Sequence, residues 1–166
     1  MSRGFVKEED QEETPLVPPR ADLPNGITNY ITPNGMEELL AEKQALINEK
    51  SSIEAATEQE KRIASNYISS KLHLLEDRIA TAKVVELDKQ PKDEIRFGAI
   101  VTLKIGNSTK LQNYQIVGVD ESDISKGKIS FISPIAKILI GLKVGEQAVL
   151  KLARENRTFE IMKIKY

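Results

Sequence analysis

SPIAKILIGLKVGE, residues Ser133–Glu146, is the one run after residue 84 that reads as a helix rather than a strand. A serine side chain can accept an orphan backbone N–H at a helix start, and proline is tolerated at the first helical position. Gly141 suits the left-handed residue that ends a helix. The spacing predicts a short, mostly apolar helix of about two turns. Around it lie β-branched runs with partial alternation: Phe97–Ile105, Asn113–Val119, Lys128–Ile132, Glu146–Leu152 and Arg157–Tyr166. Gly106-Asn107-Ser108 and Arg154-Glu155-Asn156 read as links between strands. Residues 84–166 are therefore expected to form a small antiparallel sheet packed on one short helix, an α+β unit.

Upstream the texture is helical. Thr32-Pro33 repeats the cap-and-proline start of Ser133-Pro134. Leu39, Leu46 and Ile53 recur at sevens, and Ile68, Leu72, Leu75, Ile79 and Ala82 step by four and three. These are narrow coiled-coil seams rather than broad globular faces. No proline or glycine interrupts Met36–Asp88, so one continuous helix is an alternative. A break near Ala55-Ala56-Thr57-Glu58 is the preferred reading, because the two seams then bury each other in an antiparallel hairpin over residues 32–83. Each arm would hold about 24 residues and span roughly 36 Å.

Residues 1–31 differ again. Glu8, Glu9, Asp10, Glu12 and Glu13 form an acidic run, followed by Pro15, Pro18, Pro19 and Pro24. Prolines at that density prevent helix and central strand, and the acids keep the segment solvated. A flexible acidic, proline-rich extension is the expectation. The other reading, a tether laid over a folded surface through Phe5-Val6 and Leu16-Val17, stays open.

Composition excludes several function classes. Lys and Arg number 24 against 25 Asp and Glu, which argues against a general nucleic-acid binder. Cysteine is absent, removing disulfides, thiolate nucleophiles and sulfur-ligated metals. His73, the lone histidine, falls off the α-helical seam and is expected to be exposed, with no partner for a transition-metal site. No glycine-rich phosphate loop or Ser/His/Asp arrangement is visible, so no cofactor is expected. The first residues lack the apolar segment of a signal peptide, and nothing approaches a membrane span of ~20 apolar residues. A cytoplasmic protein is the simplest expectation.

The order of parts resembles a family, the Gre transcript-cleavage factors of bacterial RNA polymerase. The matching residues are Thr32-Pro33-Asn34-Gly35-Met36 at the hairpin entry and Glu76 to Val84 at its exit. In the second part they are Phe97 to Leu103, Tyr114 to Asp123, Lys126 to Ser130 and Ser133 to Gly141. The resemblance covers residues 32–166 and leaves the first 31 without a counterpart. It implies an FKBP-like fold for the second part and a partner, RNA polymerase. That part would dock at the rim of the secondary channel, on the largest catalytic subunit, while the hairpin enters the channel. Nucleic acid would be met only through the polymerase complex. Carried over, the docking corner is Ile132, Ser133, Pro134, Ile135 and Lys137, with Ile132 where the family often has Asp or Asn. Helix capping alone also accounts for Ser133 and Pro134.

Cleavage-competent relatives carry a Gly-Asp-Leu-Ser-Glu-Asn-like tip whose two carboxylates hold a second Mg2+. Here the expected tip carries Glu54, Thr57, Glu58 and Glu60, and that motif is absent. The hairpin is also shorter than the family pattern by roughly 20 residues, which removes ~15 Å of reach. The resemblance thus implies a polymerase-binding elongation factor, not itself an enzyme, that does not stimulate cleavage. A related reading is the regulator-of-nucleoside-diphosphate-kinase branch, whose hairpin is also short. A prolyl isomerase is suggested only by fold analogy, a poor guide to function.

Overall fold

The computed structural model describes residues 15–166. The acidic run and Phe5-Val6 lie outside the described residues. Helix α1 (Pro33–Ser51) begins where Thr32 accepts the Gly35 N–H on its hydroxyl, with Pro33 in the first turn. Helix α2 (Glu58–Thr81) begins in the same way, Thr57 accepting from Glu60 N at 3.1 Å. The two run as a hairpin within one chain. Leu39, Leu46, Ile68 and Leu75 are buried between them, and Met36, Ile53, Leu72, Ile79 and Ala82 pack at the margins. Lys43 and Glu76 pair across the seam at 3.1 Å.

The turn occupies Ser52–Thr57, slightly earlier than the expected break, and α1 is shorter than expected at 19 residues. The cause is local. Ser51 and Ser52 both donate their hydroxyls to the Asn48 carbonyl, which also takes the Ser52 N–H at 3.1 Å, so hydroxyl and backbone donors together close the last turn.

Five strands form the main sheet, in the order β5-β4-β3-β7-β6. They are β3 (Ile100–Ile105), β4 (Leu111–Val117), β5 (Lys128–Ser130), β6 (Gln147–Lys151) and β7 (Asn156–Lys165). One expectation is corrected here: the sheet is mixed, because β4 and β5 pair in parallel, Ile116 opposite Ile129. Between them the chain makes two 3-10 turns, Val119–Glu121 and Ile124–Lys126, before Gly127 turns it at φ +70°. A connection of that kind returns the strand in the same direction, which a tight hairpin turn cannot do.

The inner face of the sheet and helix α3 (Pro134–Leu139) enclose Ile95, Val101, Leu103, Ile116, Phe159 and Ile161, all essentially buried. Ala136 and Leu139 are the α3 residues fully committed to that core. The far end of α3 is stitched down, with Gly141 N donating to Ile95 O and Ile95 N to Leu142 O. The described residues hold no helix long and apolar enough to cross a membrane.

The hairpin and the sheet meet at a junction of polar bonds. Strand β1 (Tyr30–Ile31) enters α1 and pairs in parallel with β2 (Lys83–Val84), which leaves α2. Glu121, only 6% exposed, accepts from Thr32 N at 3.1 Å, from Gly118 N at 3.0 Å and from the Thr32 hydroxyl. That single carboxylate therefore holds the start of the hairpin to the end of β4. Tyr30, Phe97 and Phe131 pack beside it as a trio of rings, 5.6–5.8 Å between centroids.

Gly35 sits against this carboxylate so closely that a Cβ would overlap the Glu121 side chain. Helix propensity alone predicts that Gly35→Ala stabilises by about 0.8–1.0 kcal/mol. The junction reverses that sign, with a net loss of about 1–3 kcal/mol as in an overpacked core. Urea unfolding of the variant checks it, and a rise in stability would mean that the contact is loose.

Candidate functional site

Two places carry the residues that the sequence singles out. The first is the corner between β5 and α3. Ser133 N donates to Ser130 O at 2.9 Å and Ile132 N to the Ser130 hydroxyl at 3.3 Å, which folds the chain tightly. The Ser133 hydroxyl then accepts from Ala136 N at 3.3 Å, so this serine is a helix cap. Pro134 stands exposed at the first helical position, and Lys137 is exposed one turn on. Ile132 and Ile135 are half-buried, and Ile135 packs against the sheet core. The corner thus presents a rigid proline without an N–H donor, set between half-buried apolar side chains and next to a single cation. Such a surface can seat in an apolar recess with an acidic edge.

Downstream of α3 the loop to β6 is held by a surface ion pair. Lys143 Nζ lies 3.1 Å from Asp93. The ammonium, hydrogen-bonded to Asp93, holds that carboxyl below the usual range, and the carboxylate raises the lysine in return. Both groups are exposed, so the pair adds little stability.

The second place is the hairpin tip. Thr57 is the N-cap of α2, and Glu60 turns back to accept from Ala56 N at 3.1 Å. This is a variant of the Ser/Thr-x-x-Glu box, in which the N3 carboxylate accepts from the residue before the N-cap. Glu54 and Glu58 are exposed and make no part of it. Glu58 and Glu60 lie two positions apart in the first helical turn, so they leave the helix on different faces. Both acids favour the positive helix N-terminus. Among the described residues no three carboxylate or imidazole groups gather as a metal-binding set. His73 is 76% exposed on its side chain and faces Asp77 at 3.6 Å.

The sequence comparisons bear on what these surfaces serve. Residues 90–166 match the family described as "Transcription elongation factor, GreA/GreB, C-term". The transcription elongation factor GreA of Hyphomonas neptunium is 35% identical over 120 residues, covering 72% of this chain and 73% of that protein. The chain belongs to the GreA/GreB family of transcription elongation factors. The Gre-type resemblance extends further in Rhodospirillum rubrum GreA, 31% identical over 156 residues, which covers 82% of this chain and 96% of that protein. Among solved structures, the GreA/GreB factor from Nitrosomonas europaea is 19% identical, with a TM-score of 0.42 over 82% of this chain and 98% of that one.

Sequence reading alone did not reach the junction of this Gre-type chain. Thr32-Pro33 is legible as a helix start, but its bond to Glu121 crosses 89 positions. The one available signal was that Asp120 and Glu121 lie inside a stretch resembling the family.

If Thr57 caps α2 while Glu58 takes no part, their substitutions separate cleanly. Thr57→Ala is expected to cost about 1 kcal/mol through loss of the cap. Glu58→Ala, on an exposed face, should stay within about 0.5 kcal/mol of wild type. Paired denaturation curves read both, and equal effects would contradict the capping role.

Proposed function

We propose that this chain is an elongation factor that binds RNA polymerase through its sheet part and occupies the secondary channel without stimulating transcript cleavage. It performs no chemistry of its own. The observation that carries the reading is the tip, where Glu60 is engaged by Ala56 N and Glu58 points elsewhere. Delivering a second Mg2+ needs oxygen ligands converging on one point. The reach is limited as well: arms of 19 and 24 residues extend about 28 and 36 Å at 1.5 Å per residue. A shortfall of even an ångström in placing a reacting group is costly in rate. The short first arm also favours kinship with the regulator-of-nucleoside-diphosphate-kinase branch, for which the same binding without cleavage is expected.

Docking is assigned to the corner of Ile132, Ser133, Pro134, Ile135 and Lys137, on the largest catalytic subunit at the channel rim. Exposure of Pro134 and Lys137 beside a firmly anchored helix supports this choice. We read the sheet part as an FKBP-like scaffold used for docking rather than isomerisation. Its aromatic side chains support that: Phe97 and Phe131 pack on Tyr30, and Phe159 is buried in the core.

Backtracked polymerase complexes provide the test. The protein alone should leave cleavage at its intrinsic rate, and in mixtures it should reduce cleavage by a competent Gre factor. Acceleration by this protein that is lost in a Glu58→Ala, Glu60→Ala variant would overturn the reading. For docking, Ser133→Glu with Pro134→Ala should weaken polymerase binding at least tenfold, since an unpaired carboxylate would be forced into the interface. Unchanged affinity in the folded variant would return both residues to helix capping alone.

A further inference from the structure

The proline-rich segment ahead of the hairpin is part of the folded body. Arg20 reaches two separate elements at once. Its Nε donates to Asp120 at 2.9 Å, on the 3-10 turn after β4, and its Nη1 and Nη2 donate to Glu42 of α1 at 2.8 and 3.1 Å. Asp120, with its side chain 5% exposed, also lies 3.3 Å from Arg78 Nε on α2. Arg78 closes the circuit by donating Nη2 to the Ala21 carbonyl at 2.6 Å. Farther along, Asn29 Nδ2 donates to Arg78 O and to the Thr81 hydroxyl, covering the end of α2. Both carboxylates raise the arginine pKa, chiefly through the Glu42 hydrogen bonds, so the guanidinium stays charged throughout.

We propose that residues 15–24 act as a clasp and that Arg20 is a positioning residue, setting the angle at which the hairpin leaves the sheet. Two arguments support this. The planar guanidinium offers donors in a fixed fork, so one side chain can hold α1 and the Val119–Glu121 turn in a defined relation. The bonds made by Glu121 and by strands β1 and β2 tie the ends of the hairpin, at Thr32 and Val84; Arg78–Asp120 adds a tie near the end of α2, and Lys128–Glu38 a looser one on α1 at 3.8 Å. A tie at Glu42, more than two helical turns into α1, resists rotation about those ends. The segment that supplies Arg20 belongs to the part of the chain for which the family resemblance offers no counterpart. The functional consequence rests on the polymerase reading above: a factor whose hairpin and docking corner must engage together binds better when their angle is preset.

The absence of cysteine makes the test direct, because Gln59→Cys and Lys110→Cys together place two unique labels, one beside the tip and one in the loop between β3 and β4. Pulsed electron spin resonance then reads the tip-to-sheet distance in the full chain without polymerase. A single narrow distribution is expected with Arg20 present. Arg20→Ala should at least double its width, Glu42→Gln should broaden it less, and Arg20→Lys should lie between Arg20→Ala and the parent. Polymerase affinity should fall several-fold in Arg20→Ala. Identical distributions in the parent, Arg20→Ala and Glu42→Gln would overturn the clasp, whatever polymerase does. Broadening in a protein that does not bind polymerase would instead uphold the clasp and sink the functional reading on which its consequence rests.

Discussion

One buried carboxylate constrains the way the two parts of this molecule are joined. Glu121 receives two backbone N–H groups, from Thr32 and Gly118, together with the Thr32 hydroxyl. A carboxylate shut away from water is costly unless such donors surround it. The same arrangement dictates its neighbours. Gly35 has no room for a Cβ beside the carboxylate, and at Gly118 a Cβ would come within 2.5 Å of Tyr30 O. Thr32 is used twice, since its hydroxyl donates to Glu121 while accepting from Gly35 N to start α1. The helix cap and the inter-domain bond are therefore one network, and neither can be altered alone.

From that point the architecture follows by short steps. The parallel pairing of β1 with β2 brings the beginning and end of the hairpin together, and the Tyr30, Phe97 and Phe131 rings fill the space beside it. The hairpin projects from this base with a seam only one stripe wide, enough to hold two arms but not a broader core. The sheet keeps its own core and displays the Ser133-Pro134 corner on a helix pinned at both ends. Under the proposed function, binding falls to a surface on the stable core and reach to the hairpin. At the tip, Thr57 and Glu60 serve the start of α2.

Much of this is legible in the sequence because local chemistry determines it. Ser133-Pro134 and Thr32-Pro33 mark helix starts, and both hydroxyls do accept the expected N–H groups. The heptad spacing of Leu39 and Leu46 places the seam, and β-branched runs locate the five strands of the main sheet to within a few residues. What escapes is set by distance or by side-chain detail. The Glu121 bond to Thr32 joins residues far apart in the chain, where no periodicity operates. The parallel course of β5 depends on two 3-10 turns whose sequence, Val119 to Lys126, carries no strong apolar pattern. The early end of α1 is marked by two serine hydroxyls that join the Ser52 N–H on the Asn48 carbonyl. Arg20 looks like one charge in a proline-rich segment until its three acceptor contacts are seen.

The central claim, that Glu121 makes the hairpin and the sheet one cooperative unit, is open to a single measurement. Differential scanning calorimetry of the wild type should give one transition. Glu121→Ala leaves the Thr32 and Gly118 N–H groups buried without an acceptor, at about 1–3 kcal/mol each. With the bond gone, the narrow-seamed hairpin should melt first, and the endotherm should split in two, the upper transition lowered only by the sheet's own loss at Gly118. A single cooperative transition in Glu121→Ala would contradict the account.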